Sequence, residues 1–388
     1  MTLAQVVRLF ALARSLPEDA YEVHFAAARF DPGIFGSTRF TRWPVASISP
    51  ETAERAVRWG LPLYTKRILR RYVEDDLRVI AGCRPDLIVG DLRWSLAVSG
   101  PRSGVPVASI ANACWSPFAV RRFPLPEHPI VRLLGVPLSA KHFSRALPWI
   151  LRRFARPIDA LRKEHALPPL GSLEAVITWG DLTLYADPPN LYRMRPLPGS
   201  HRFVGPIHWA PPAGLVPESR SRPLIYVTLG SSGPLRALPS ILGATAALDV
   251  DVLLATAGRI ELPRLPANAR AAAFVRGDLA AARASVVICN GGASTAYQAL
   301  TAGTPVIGLP LNLDQYLVMD AIERAGAGIL LRSGTVTEEK VRAAVLRILH
   351  DQDLRAGARR MAAGMRLLDA PAEFHRAVID ATRPASVR

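Results

Sequence analysis

The chain is poor in cysteine: three thiols in 388 residues, Cys83, Cys114 and Cys289, with no metal-ligand or disulfide spacing. That excludes a disulfide-stapled scaffold and a structural zinc site, and it fits reduced, mostly buried thiols. No run of 18 apolar residues occurs, so no stretch reads as a transmembrane helix. The first residues lack the charged, apolar and small-residue succession of a secretory signal, so a cytoplasmic location is expected. Acid is scarce too: 32 Asp and Glu stand against 48 Lys and Arg, a net charge of +16. Such a balance raises nucleic-acid binding. The arginines are spread along the chain, however, without a basic-aromatic module or zinc finger, so no nucleic acid is expected as partner. With 49% apolar residues the chain is globular rather than disordered, and long enough for two cores.

What is present is concentrated in residues 286–315, VVICNGGASTAYQALTAGTPVIGLPLNLDQ. Residues 286–289 form an apolar run suited to a buried parallel strand. Asn290, Gly291 and Gly292 break it. Residues 293–302 read as a helix, with Gly303 where a helix-ending glycine belongs. Pro305 follows, and 306–309 is a second apolar strand. A glycine turn feeding a helix start aims backbone N–H groups and the positive end of the helix dipole at one point. Ser294 and Thr295 add hydroxyl donors there. This is an anion site, suited to a diphosphate. Asn312, Asp314 and Gln315 stand just past the end of the next strand, where open α/β sheets bind ligands, and suit sugar hydroxyls.

The whole string resembles the donor-binding signature of UDP-glycosyltransferase-like enzymes, HGGxGTxxEALxxGxPxxxxPxxxDQ, above all the bacterial branch that decorates natural products. Gly291, Gly292, Thr295, Ala299, Leu300, Gly303, Pro305, Pro310, Asp314 and Gln315 match it. Three positions depart: Asn290 replaces a histidine facing the phosphates, Ser294 a glycine, and Gln298 the glutamate that holds the ribose hydroxyls. The stretch 224–232, ending in Gly230, Ser231 and Ser232, resembles the family's first C-terminal strand and its phosphate-facing loop. Residues 276–279 are expected as the loop under the nucleotide base.

In the first half, residues 2–16 predict a helix with Leu3, Val6, Val7, Phe10, Ala13 and Leu16 on one face. Strands are predicted over 22–27, 86–90, 106–110 and 183–186, and a helix over 52–81. Asp91 ends one strand. It reads either as an active-site carboxylate or as a cap for a helix over 92–98. The resemblance implies the former, an aspartate that orients and charges a catalytic histidine in the loop before the first helix. Gln5 occupies that histidine's place, and an amide takes up no proton at neutral pH. His24 lies on the predicted strand 22–27 and reads as a packed histidine. Residues 111–171 are aromatic-rich and broken by prolines; the resemblance implies an acceptor pocket here. Within them, 144–163 carries Arg145, Arg152, Arg153, Arg156, Arg162 and Lys163 beside Leu147, Trp149, Ile150 and Leu151. That pattern, a basic amphipathic helix, suits either a solvated charged face or peripheral contact with an anionic membrane at its inner face.

The resemblance thus implies an α/β protein with two Rossmann-like domains facing across a cleft, the GT-B architecture. The boundaries expected are 1–208 for an acceptor domain, 209–222 for a linker, 223–368 for a nucleotide-sugar domain and 369–388 for a segment returning to the first domain. The function implied is metal-independent, inverting transfer of a sugar from UDP or dTDP to a hydroxyl of a small apolar acceptor, with no cofactor beyond the donor. A catalytically silent ligand- or partner-binding homologue and a sugar-nucleotide epimerase are the alternatives. A Rossmann-like half starts with a strand, yet the sequence opens inside the loop that follows it. The N-terminal domain is therefore expected to lack its first strand, with the strands at 22 and 86 either side of a slot or collapsed together. Met1 is then expected not to be the natural start, or the chain to be a decayed copy.

Overall fold

The computed structural model describes residues 3–36, 38–211, 214–215, 222–230, 233–258 and 264–383. They form two compact units. The first holds residues 1–121, 142–207 and 369–388, the second 122–141 and 208–368.

In the first unit, β1 (His24–Ala27) and β2 (Thr41–Pro44) form a parallel pair. Four further parallel strands lie in the order β3 (Ile88–Asp91), β4 (Val107–Ala111), β5 (Leu182–Tyr185), β6 (His201–Phe203). Strands β1 and β3 do not pair: among the described residues β1 bonds only to β2 and β3 only to β4. Helix Leu3–Arg14 packs beside β3 and sends Leu12 into the core with Ile110, Leu184 and Val204. Helix Ala370–Thr382 closes that core with Phe374 and Val378.

Two helical expectations change here. Residues 52–81 form two helices, Pro50–Arg58 and Lys66–Cys83, because Gly60 turns left-handed (φ +59°) and Thr65 caps a new start by accepting from Ile68 N–H at 3.3 Å. Residues 144–163, read as a basic amphipathic helix, lie within the longer, 29-residue helix Val136–Glu164. It runs through Pro148 and Pro157, each forfeiting one backbone hydrogen bond.

The second unit is one six-stranded parallel sheet in the order β12-β11-β10-β7-β8-β9. Its strands are β7 (Leu224–Thr228), β8 (Asp251–Ala255), β9 (Ala269–Ala272), β10 (Val286–Cys289), β11 (Val306–Gly308) and β12 (Gly328–Leu330). Strands β7 and β10 are buried on both faces, which is why they read as unbroken apolar runs. The chain runs outward from β7 through β8 to β9, then returns to β10 on the other side. The strand order therefore reverses between β7 and β10, and in open α/β sheets the crevice beyond the carboxyl ends at that point takes the ligand.

Residues 122–141, read from sequence as part of the first domain, belong with this second unit. Glu127 anchors them. Its carboxylate accepts from Tyr316 Oη at 2.7 Å and pairs with Arg332 at 3.2 Å, while Arg332 also donates to the carbonyls of Leu125 and Pro126. Burial, reinforced by Glu127, pushes the Tyr316 hydroxyl pKa far up, so it stays a donor. Arg332→Ala would strand the Glu127 charge in a largely buried site, and we expect a loss of about 3 kcal/mol in chemical denaturation. A loss near zero would mean that 122–141 is held by other contacts.

Candidate active site

The turn after β10 is built from its own side chains. Asn290 is 8% exposed, and its Oδ1 accepts from the N–H of Gly292 at 3.1 Å. Cys289 Sγ accepts from the N–H of Gly291 at 3.3 Å, and burial pushes that thiol up to about 12, leaving it protonated and inert. Gly291 is left-handed, with φ +76°, and a Cβ there would fall 2.5 Å from Met319 Cγ. Gly230, at φ +60° beyond the end of β7, packs against Asn290: a Cβ would come 3.4 Å from its Nδ2. Asn290 thus lies against both loops of the switch point. Ser231 and Ser232, expected to face the phosphates, lie outside the described residues.

Helix Ala293–Ala302 starts at Gly292, and no side chain caps it. The first helical N–H groups have no intrahelical partner, so the opening turn points unsatisfied donors toward the switch point. Gly292, Ser294, Thr295 and Gln298 are half-buried along this helix while their neighbours are buried. Gln298 donates from Nε2 to the carbonyl of Trp209 at 3.3 Å, and its Oε1 lies 2.7 Å from where a Gly277 Cβ would sit. Residues 276–279, expected as a loop, instead open helix Gly277–Arg283. Asp278 in its first turn is paired with Arg276 at 2.7 Å, and that bond lowers the Asp278 pKa.

After β11 the expected polar group divides into two roles. Asn312 caps helix Leu313–Arg324 by accepting from Gln315 N–H at 3.0 Å. In return Gln315 Oε1 accepts from Asn312 N–H at 3.5 Å, completing a capping box, and also from Leu311 N–H at 2.8 Å. Gln315 is 3% exposed, so its carbonyl oxygen shapes the loop from within. Asp314, in the same first turn, is half-buried.

In the first unit Asp91 is 5% exposed and does not cap a helix; the following helix, Leu96–Ser103, starts four residues beyond the predicted position. Both Asp91 oxygens accept from Arg8, Oδ2 from Nε and Oδ1 from Nη2, each at 2.9 Å. Arg8 Nη1 donates to Asn112 Oδ1 at 3.0 Å, and Asn112 Nδ2 donates to Asp187 Oδ1 at 2.9 Å. Gln5 precedes Arg8 by three residues on helix Leu3–Arg14, hence on the same face. The cation facing Asp91 in this chain is therefore a guanidinium, which does not give up its proton. Arg8, Asn112 and Asp187 were not singled out from sequence. A signal existed for two of them: Asn112 and Asp187, like Asp91, close or follow apolar strands at their carboxyl ends. His24 accepts from Trp43 Nε1 at 3.0 Å and pairs with Glu22 at 2.9 Å, a packed strand histidine as read.

A parallel sheet in each unit, with a phosphate-type turn at the switch point of the second, defines the GT-B class of glycosyltransferases. Residues 239–380 match the erythromycin biosynthesis protein CIII-like C-terminal domain. A PGL/p-HBAD biosynthesis glycosyltransferase of Mycobacterium tuberculosis (strain ATCC 25177 / H37Ra) is 46% identical over 93% of this chain and 86% of its own. A PGL/p-HBAD biosynthesis rhamnosyltransferase of Mycobacterium bovis (strain BCG / Pasteur 1173P2) is 45% identical over 93% and 82%. A further relative from that strain, 41% identical over 63% of this chain and 68% of its own, is named an inactive glycosyltransferase. Among solved structures, the calicheamicin glycosyltransferase superposes with TM-score 0.70 at 18% identity, covering 97% of this chain and 94% of that one. The spinosyn rhamnosyltransferase complexed with thymidine diphosphate does so with TM-score 0.65 at 20% identity, covering 96% and 95%. The chain belongs to the UDP-glycosyltransferase-like superfamily, in its bacterial natural-product branch.

The two glycines of the turn should behave differently. Gly291→Ala forces a side chain into left-handed backbone, about 1–2 kcal/mol, and against Met319, so its melting temperature should fall. Gly292 has φ −70°, and Gly292→Ala should leave stability nearly unchanged. Equal melting of both variants would contradict this turn geometry. Arg8→Ala removes the cation that faces the buried Asp91 carboxylate and should cost about 3–5 kcal/mol.

Proposed function

We propose that this glycosyltransferase moves a sugar from UDP or dTDP to a hydroxyl of a small apolar acceptor, by direct displacement with inversion. The observation that carries the reading is the uncapped helix start at Gly292, lying where the strand order of the second unit reverses. Negative charge builds on the leaving diphosphate during displacement. Fixed backbone donors and the hydroxyls of Ser294 and Thr295 suit that charge without needing to reorganise. Asn290 holds the turn, Gln298 takes the ribose end, and Asp314 orients the sugar, with Gln315 setting the loop that carries it. The relatives named for glycosyl and rhamnosyl transfer, and the neighbour complexed with thymidine diphosphate, support a nucleotide-sugar donor.

On the acceptor side, neither the Gln5 amide nor the Arg8 guanidinium takes a proton from the attacking hydroxyl, and Arg8 occupies both Asp91 oxygens. Proton removal then falls to water or to the acceptor's own acidity. Gln5→His should raise turnover on any acceptor the parent accepts; no gain would count against placing Gln5 beside the reacting hydroxyl. A panel of nucleotide sugars and phenolic or polyketide acceptors, read by mass spectrometry, separates the classes. A new glycoside supports transfer, an altered sugar nucleotide means epimerase, and donor binding without product means a silent homologue. Saturating UDP or dTDP at a hundredfold excess over Kd should stabilise the fold by about 2.7 kcal/mol. Gly292→Leu should abolish that gain, because the side chain blocks backbone approach.

Peripheral contact with an anionic membrane is part of this reading. On helix Val136–Glu164, Trp149 is 53% exposed with Arg153 over its ring at 5.3 Å, and Arg145, Arg152 and Arg156 are exposed beside it. An apolar ring amid arginines suits a surface that is greasy below and negative above. Co-sedimentation should be stronger with anionic than with neutral liposomes and weaken with salt. Equal binding to both would remove the electrostatic part.

A further inference from the structure

The second unit carries a cavity of about 840 Å³ at the end of the sheet opposite the Gly292 turn. Pro223, Ser285 and Pro305 line it, and each immediately precedes or lies one residue before a strand, β7, β10 and β11 respectively. The cavity therefore opens at the amino ends of the strands, away from the switch point. One wall is helix Gln352–Met365 with the residue that caps its end, bringing Arg355, Arg359 and Arg366. Spaced by four and then seven, they fall on one face of the helix. Gly303, left-handed at φ +85°, leaves room for the stem of Arg359: a Cβ there would lie 3.8 Å from Arg359 Cγ.

The charge of this cavity is not balanced from within. Among the described residues the only carboxylate lining it is Asp249, which is already paired with Arg222 at 3.0 Å. Among the described residues, none of the three arginines makes an ion pair. The hydroxyl of Thr304, beneath them, donates to the carbonyl of Ala281 at 2.6 Å, and the N–H groups of Gly303 and Thr304 bond the carbonyls of Leu300 and Ala299 near the end of helix Ala293–Ala302. Those two acceptors are thus already used. Leu346 and Leu349 complete the lining with apolar surface. Three like charges on one helix face repel one another unless an anion sits between them. Arginine forks match phosphate oxygens two at a time.

We propose that this cavity is a second ligand site, for a phosphate-bearing molecule whose apolar part lies on Leu346 and Leu349. The site is independent of the donor reading, since it shares no residue with it. Two sources offer that chemistry, a free phosphate or diphosphate and the headgroup of an anionic phospholipid. Titration calorimetry on the full chain with pyrophosphate, and separately with monomeric dihexanoyl phosphatidate, tests it. Both titrations are repeated on R355Q/R359Q, whose glutamines keep helix propensity, and on G292L, which alters only the donor turn. The expected result is a saturable phase that R355Q/R359Q weakens by about tenfold or more and G292L keeps, distinct for pyrophosphate from any phase at the donor turn, which G292L removes. Circular dichroism melting of each variant confirms that it is folded. Phosphatidate binding more tightly than pyrophosphate assigns the site to a lipid headgroup, and equal or weaker binding assigns it to free phosphates. Binding lost in G292L but retained in R355Q/R359Q, or no binding of either probe by the parent, would overturn the proposal.

Discussion

A backbone N–H that enters a helix without a partner must find one, and the second unit depends on where it leaves such groups. Two of the helices that follow a strand end in this sheet close their starts with side chains: Asn312 accepts from Gln315 N–H and Thr337 from Lys340 N–H. The helices that begin after β9 and β10, at Gly277 and Ala293, have no side-chain cap. Both uncapped starts follow the carboxyl end of a strand, on the ligand side of the sheet. An unsatisfied start costs stability unless water or a ligand meets it. The sheet order sets that cost beside the reversal between β7 and β10, where it becomes binding capacity. The buried Asn290 keeps the turn in shape by taking one donor, Gly292 N–H, and leaving those behind it to the crevice.

The first unit solves the opposite problem. The polar ends of β3, β4 and β5 carry Asp91, Asn112 and Asp187 in buried positions, and their hydrogen bonds are closed internally through Arg8. Such a network is costly to break and specifies one arrangement of three strand ends and a helix. It also uses up the carboxylate that the family resemblance assigns to a histidine. One half of the molecule thus holds its polar groups open to a ligand, and the other holds them shut.

Much of this was legible. Strands β7 and β10 and helix Ala293–Ala302 match their predicted bounds, because long apolar runs and a glycine at each helix end leave few other readings. Strands β2 and β6 escaped notice as three or four residues of mixed polarity, and β12 because it is only three residues long. The break at Gly60 was visible as glycine and proline two residues apart, and the helical period on either side masked it. Gln315 matches the family pattern, but its amide oxygen closes a capping box on Asn312 N–H. The Arg8–Asp91 pair joins residues 83 apart in sequence and has no local signature. Strand order is not written in periodicity either, so the switch point between β7 and β10 could be located only in the fold.

The central claim is that the donors opening helix Ala293–Ala302 receive a diphosphate. Hydrogen–deuterium exchange of the whole chain, with and without saturating dTDP or UDP, measures those amides directly. The account predicts that exchange slows first and most in the peptide covering 290–298, with the loop after β7 following. Protection that falls elsewhere, with the amides of 292–295 exchanging at their free rate in the nucleotide complex, would contradict it.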